Sequence, residues 1–138
     1  MTERPTRRPS FLVIISDDQG YGDLGCMGAD DLQTPHLDRL AARGARFTDL
    51  YVNSPVCSPS RAALLTGRHP ARAGVRDVLG GHQTETGLAP EVPTLAEALK
   101  PLGYRTGLIG KWHLGVAEGY RPPAQSPARL PDHPLPSR

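Results

Sequence analysis

Cysteine is scarce in this sequence: its 138 residues include only Cys26 and Cys57. Two cysteines cannot build a disulfide framework, so the fold must rely on one modest packed core. An excess of charge of one sign is also absent, because 16 Lys and Arg face 14 Asp and Glu and leave a formal net charge of +2. The arginines are scattered along the chain, and we therefore expect no nucleic-acid partner.

Long hydrophobic runs are missing as well. The longest one near the start covers only residues 11–15, whereas a membrane-spanning helix needs about 20 apolar residues and a signal-peptide core about 7 to 15. We therefore expect no membrane association and a cytoplasmic location. Hydrophobic residues at 38% and charged residues at 22% are ordinary for a globular domain, so composition indicates a folded chain without indicating a function.

Changes in composition divide the chain into three parts. Residues 1–10 are rich in Arg, Pro and Thr without an apolar period, which predicts a flexible leader. Residues 122–138 hold six prolines and almost no apolar pattern, which predicts a disordered tail. Residues 11–121 remain as the candidate domain.

Within that domain, strand-like and helix-like patterns alternate. The patterns predict three strands, at residues 11–15, 45–52 and 104–109. They also predict three helices: one from Pro35 until Gly44, one from near Cys57 until Gly67, and one over residues 94–102. The pairs Thr34-Pro35 and Ser58-Pro59 each offer a helix cap and a first-turn proline. The glycine-rich residues 74–90 predict a surface loop or an irregular excursion. The alternation predicts an α/β fold with a mostly parallel sheet flanked by helices.

Cys57 and Arg61 form the first candidate for chemistry. Cys57 lies at the predicted N-terminus of a helix, where free amides and the helix dipole favour negative charge. Arg61 follows four residues later on the same helical face and offers a cation to an oxyanion. For the pair alone, a buried cysteine beside a solvated arginine remains the commoner explanation.

Two further groups of polar residues follow predicted strands. Asp17 and Asp18 end the first strand, where two adjacent carboxylates suit a hard divalent cation, although a polar loop is the commoner fate of such a pair. Lys111 and His113 follow the third strand and point the same way if the extended conformation persists. The alternative for them is a snorkelling lysine beside a surface histidine.

Residues 57–68, Cys-Ser-Pro-Ser-Arg-Ala-Ala-Leu-Leu-Thr-Gly-Arg, resemble the sulfatase signature: Cys, any residue, Pro, any residue, Arg, three residues, then Leu-Thr-Gly-Arg. Residues 110–115, Gly-Lys-Trp-His-Leu-Gly, are closely similar to a second sulfatase string. With the Asp pair, three motifs occur in the family order between Phe11 and Gly115. The resemblance implies the N-terminal part of an alkaline-phosphatase-like fold.

The resemblance also implies roles for these residues. Cys57 becomes formylglycine through a formylglycine-generating enzyme that reads Pro59 and Arg61. The metal is Ca²⁺, or sometimes Mg²⁺, and its ligands from this chain are Asp17, Asp18 and Cys57.

In such a site the hydrated aldehyde attacks sulfur. Arg61 and Lys111 stabilise the charge of the sulfate group, and His113 orients a hydroxyl or takes its proton. The expected activity is hydrolysis of a sulfuric ester, in a small molecule or a sulfated glycan.

The family pattern continues beyond Gly115 with an Asp and an Asn or Gln for the metal, and a further Lys and His, none of which can be assigned here. We therefore expect the 138-residue chain to be truncated and inactive, and the change of composition after about Gln125 suggests a shifted reading frame. A phosphonate monoester or phosphodiester hydrolase of the same superfamily and a non-catalytic remnant are the alternatives. A thiol enzyme is a weaker one, because no local histidine pairs with Cys57.

Overall fold

The computed structural model describes residues 8–80, 86–120 and 122. The chain divides into two compact units, Met1–Thr48 and Asp49–Arg138. Most of the predicted leader (1–7), part of the glycine-rich stretch (81–85) and nearly all of the predicted tail (121 and 123–138) lie outside the described residues. In the portion that is described, no helix has the length and apolar character needed to cross a membrane.

Four α-helices occur among the described residues. They are α1 (Pro35–Arg43), α2 (Cys57–Thr66), α3 (Pro70–Ala73) and α4 (Leu95–Leu99). Single-turn 3-10 helices cover Gly25–Met27, Lys100–Leu102 and Glu118–Tyr120. A helix lies at each of the three predicted places, although the third ends at Leu99 and is followed by the 3-10 turn Lys100–Leu102. Helix α3 was not predicted because four residues are too few to show a helical period.

The first unit is organised around the carboxylate of Asp38 on α1. The backbone N–H of Cys26 donates to Asp38 Oδ1 at 2.7 Å, and the Thr34 hydroxyl donates to the same oxygen at 2.9 Å. The Thr34 oxygen also accepts from the N–H of Gly25 at 2.8 Å. Thr34 therefore occupies the cap position without capping α1, because its hydroxyl joins the helix to the 3-10 turn instead.

The core of the second unit surrounds α2, which packs against α3 and α4. The buried apolar residues of this core come from α2, α3 and three irregular segments: Ala62, Ala73, Val75, Leu88 and Leu114. Ala62 and Leu114 are completely buried. Thr94 and Glu97 form a reciprocal capping box at the start of α4, which fixes where that helix begins.

The glycine-rich stretch is irregular where it is described, but it is not confined to the surface. Val75 and Leu88 are 1% and 5% exposed and belong to the core. The N–H of Leu88 donates to the carbonyl of Leu114 at 2.8 Å, so the stretch is also bonded to the segment after residue 110. The irregular excursion, one of the two predicted alternatives, is therefore confirmed for the described part. The surface loop, the other alternative, was wrong because glycine content indicates chain flexibility and not exposure.

The predicted strands are not formed in the described residues, none of which is assigned to a strand. The side chains of residues 11–15 are 47–85% exposed, although their pattern is typical of a strand buried on both faces. An apolar run becomes a strand only when neighbouring strands bond to it and other layers cover it. The mostly parallel sheet thus remains a prediction.

The carboxyl of Asp38 makes the stability of the first unit pH-dependent. The N–H of Cys26 lowers the pKa of Asp38, and the Thr34 hydroxyl lowers it further. A lowered folded pKa means that the stabilisation is complete above the ordinary aspartate value of about 3.9 and is lost as pH falls through the folded value. We expect the Asp38 carboxyl resonance to titrate below that ordinary value in NMR spectra. Asp38→Asn should abolish this part of the acid dependence of unfolding, and a normal titration of Asp38 contradicts the assignment.

Candidate active site

Helix α2 presents Cys57 at its first residue. Val56 precedes it in an extended conformation, with φ −126° and ψ 156°, and no side chain caps the helix. Pro59 fits the first turn because proline has no backbone N–H, and the N–H groups of the first turn have no partner within the helix. Ser58 is not the predicted cap: its hydroxyl oxygen accepts from the backbone N–H of Leu79 at 3.1 Å. Cys57 is a free, half-buried thiol.

The Leu-Thr-Gly part of residues 57–68 ends the helix. Leu65 packs against the core, and the Thr66 hydroxyl donates to the carbonyl of Ala62 at 2.6 Å. Gly67 has φ 65° and its N–H donates to Ala63, which is the left-handed closure that glycine permits. These residues therefore have a structural function: they fix where α2 ends.

Residues 110–115, hereafter the 110–115 segment, do not continue as an extended strand. His113 has φ 55° and Gly115 has φ 120°, both in the left-handed region. The extended conformation on which the expectation for Lys111 and His113 depended does not persist, because this region breaks the period of two. Leu114 anchors the segment in the core, and Trp112 Nε1 donates to the carbonyl of Tyr120 at 2.8 Å.

Helix α2 and the 110–115 segment are joined directly. Arg61 Nη1 donates to the backbone carbonyl of Lys111 at 2.8 Å. One residue further along α2, Ala62 lies in the same buried cluster as Leu114. The structure therefore assembles Cys57, Arg61, Lys111 and His113 on two elements that share one core.

The ring of His113 is held by a backbone carbonyl. Its Nε2 lies 2.8 Å from the oxygen of Leu79, and because a carbonyl can only accept, Nε2 carries the proton of the neutral ring. Its Nδ1 is buried and has no hydrogen-bond partner in the part of the chain that the structure describes. Neutral His113 thus presents a lone pair at Nδ1.

Asp17 and Asp18 belong to the first unit, whereas Cys57, Arg61, Lys111 and His113 belong to the second. Both side chains are exposed, and Asp18 has φ 55°, a conformation that aspartate tolerates better than most residues. The described residues contain no group of three His, Cys, Asp or Glu that could hold a metal ion. Calcium takes six or more oxygen ligands, so the described side chains do not by themselves fit the ion.

Ser58 and Leu79 were not predicted as part of the site. Leu79 contributes only its backbone N–H and carbonyl, which carry no signature in a sequence. Ser58 gave a misleading signal, because a serine near a helix start more often caps the helix.

Comparison with known proteins identifies close relatives. The family model Sulfatase matches residues 9–121. Human arylsulfatase A is 53% identical over 121 residues, covering 86% of this chain and 24% of that protein. Rat steryl-sulfatase is 49% identical over 119 residues, covering 83% and 21%. The chain thus spans about a quarter of the length of the curated relatives it matches.

Solved structures show the same likeness. The crystal structure of Ps i-CgsB aligns with a TM-score of 0.75 at 40% identity, covering 79% of this chain and 24% of that one. The complex of Ps i-CgsB with k-i-k-neocarrahexaose aligns with a TM-score of 0.73.

Gly115 should be essential for the 110–115 segment. A Cβ there would overlap the Cβ of Tyr120 and lie 3.1 Å from the Cα of Gly87, at a φ that L-residues rarely adopt. We expect Gly115→Ala to lower the free energy of unfolding by at least about 2 kcal/mol, measured by denaturant titration. Gly119→Ala is the matched control, because a Cβ at Gly119 meets nothing within 4 Å. Equal stabilities of the two variants would refute this packing.

Proposed function

Because the chain belongs to the sulfatase family, we propose that it carries the nucleophile-bearing part of a sulfuric ester hydrolase. The contact between α2 and the 110–115 segment is the observation that supports this proposal most strongly. The two elements are joined by the Arg61–Lys111 hydrogen bond and share one apolar core. A sulfate ester is an anion that repels nucleophiles, so its hydrolysis needs an activated oxygen nucleophile and nearby positive charge. These two elements carry residues suited to both tasks.

Cys57 is the proposed precursor of formylglycine, made by a formylglycine-generating enzyme. Its place at the start of α2 and its half-buried free thiol suit a modified residue that must remain open to substrate. When formed, the hydrated aldehyde would supply one hydroxyl as the nucleophile that bonds to sulfur while the alcohol of the ester leaves. It would also supply a second hydroxyl whose deprotonation re-forms the aldehyde and releases sulfate. The thiol-enzyme alternative gains no support, since the described bond of His113 goes to Leu79.

Arg61 and Lys111 supply the positive charge. Arg61 lies one turn from Cys57 on the same face of α2 and presents several N–H donors in a planar fork. Its Nη1 donates to the Lys111 carbonyl, and this bond fixes the position of the Lys111 backbone relative to α2. In this proposal Arg61 therefore contributes to binding sulfate oxygens and also positions Lys111.

His113 is the proposed proton acceptor, and Nδ1 is the atom that acts. The Nε2–H of the neutral ring donates to the Leu79 carbonyl, so the lone pair that can accept a hydroxyl hydrogen lies on Nδ1. A buried nitrogen without a partner among the described residues favours a hydrogen bond from substrate or nucleophile, because that bond removes a desolvation cost.

Asp17 and Asp18 are proposed as two of the ligands of a calcium or magnesium ion. Their carboxylates have the right chemistry for a hard cation, but further oxygen donors must complete the site. We therefore derive no step through the metal.

The proposed fold is the mostly parallel, alkaline-phosphatase-like sheet flanked by helices. The exposed apolar side chains of residues 11–15 are suited to a strand covered on both faces within such a sheet.

The proposed substrates are sulfate esters of small molecules or glycans. An oligosaccharide complex of a similar protein supports the glycan class. Hydrolysis of phosphonate monoesters or phosphodiesters is the second candidate, because the same residues would stabilise either anion.

Transfer of the segment into a relative tests the proposed function. In a chimera, residues 9–121 replace the matching part of human arylsulfatase A. We expect it to hydrolyse an aryl sulfate, and Cys57→Ala to abolish the rate because the nucleophile is lost. Cys26→Ala is the matched control and should leave the rate unchanged, because Cys26 has no role in the proposed chemistry and the substitution keeps the backbone N–H that bonds Asp38. Activity without Cys57, or faster turnover of an aryl phosphonate than of the sulfate, contradicts the proposal.

Calcium binding by the 138-residue chain should be weak. With two carboxylates from adjacent residues, we expect a dissociation constant no tighter than about 1 mM in calorimetric titration. The double change Asp17→Asn and Asp18→Asn should remove the remaining binding. The equally exposed neighbours Asp30 and Asp31, changed to Asn together, serve as the control. Micromolar binding, or loss of binding in the control only, would overturn the ligand assignment.

A further inference from the structure

Ser58 occupies an unspecified position beside Cys57, yet its side chain is completely buried. Its hydroxyl oxygen accepts from the N–H of Leu79 at 3.1 Å. The carbonyl of Leu79 in turn accepts from His113 Nε2 at 2.8 Å. Leu79 therefore bonds through its N–H to the neighbour of Cys57 and through its carbonyl to the ring of His113.

We propose that Ser58 is a positioning residue for His113: by holding Leu79, it fixes the orientation and the tautomer of the imidazole, so that Nδ1 carries the lone pair. This inference deepens the proposed function and depends on it only for the catalytic role of His113.

The local structure explains why Leu79 needs such a bond. Residues 74–80 after α3 are irregular, so no helix or strand ladder sets the direction of the Leu79 carbonyl. The side chain of Leu79 packs against the core, which leaves the Ser58 bond to orient its peptide group.

The backbone of His113 points to the same arrangement. A left-handed φ of 55° is unfavourable for a residue other than glycine and persists only where its surroundings enforce it. Leu114, completely buried, restrains the backbone on one side, and the Leu79 carbonyl restrains the ring. The strained conformation thus aims the ring at the carbonyl that Ser58 positions.

The tautomer can be measured without any enzyme assay. In the ¹⁵N-labelled full chain, two-bond proton–nitrogen correlations distinguish protonated Nε2 from protonated Nδ1 in the neutral ring. The chain has five histidines, so His113→Gln assigns the signals. We expect wild-type His113 to be protonated on Nε2 alone, and the Leu79 amide to exchange slowly with solvent. Protonation on Nδ1 in the wild type overturns the inference, whatever the variants show.

Substitution of Ser58 tests its part. In Ser58→Ala we expect both tautomers of His113 and about tenfold faster exchange of the Leu79 amide, because its acceptor is gone. Ser58→Thr keeps the hydroxyl and should restore the single tautomer. Ser60→Ala is the matched control, since that hydroxyl donates to the Ser54 carbonyl and does not bond Leu79. A single Nε2 tautomer in Ser58→Ala, or a mixture in Ser60→Ala, contradicts the role of Ser58.

The arylsulfatase chimera separates this inference from the proposed function. There Ser58→Ala should lower kcat about fivefold, with KM changed by less than roughly twofold, because the ring is misdirected while sulfate binding is kept. Should the unmutated chimera be inactive while the tautomer still depends on Ser58, the proposed function fails and the positioning role stands. If the chimera is active but Ser58→Ala leaves the tautomer of His113 unchanged, the proposed function stands and the positioning role fails.

Discussion

The close contact between α2 and the 110–115 segment is the interaction on which the second unit depends. Helix α2 turns alanines towards the core, and Ala62 is completely buried in the same cluster as Leu114. Small side chains at this position let a helix and an irregular segment approach closely, because little volume separates their backbones. A larger residue at Ala62 would push them apart, and such overpacking commonly costs about 1–3 kcal/mol.

Two polar connections need that approach. The Arg61 guanidinium reaches the Lys111 carbonyl, and Leu79 bonds Ser58 through its N–H and His113 through its carbonyl. Each bond alone is worth only about 1 kcal/mol, so the core provides most of the stability and the bonds provide direction. Apolar burial therefore brings the elements of the candidate site together, and the hydrogen bonds orient the groups on them.

Local signals predicted where three of the helices lie, because prolines and the helical period act within a few residues. The roles of the candidate site residues came from the sulfatase resemblance and stay predictions. Pro35 and Pro59 each lie in the first turn of a helix as predicted, but neither Thr34 nor Ser58 caps the helix that it was predicted to cap. The strand at residues 11–15 could not be established in this way, since a strand depends on neighbours distant in the sequence. The hydrogen bond to the Leu79 carbonyl could not be predicted for a different reason. Every residue type has a backbone carbonyl, and only the fold determines which one lies next to His113.

The identity of Cys57 as a formylglycine precursor is the central claim, and one mass spectrum tests it most directly. The full chain is produced together with a formylglycine-generating enzyme, and the tryptic peptide 47–61, which contains Cys57, is analysed. We predict a peptide in which an aldehyde has replaced the thiol and which reacts with a hydrazide. A peptide that keeps an alkylatable thiol, while a sulfatase substrate in the same cells is converted, would contradict the claim.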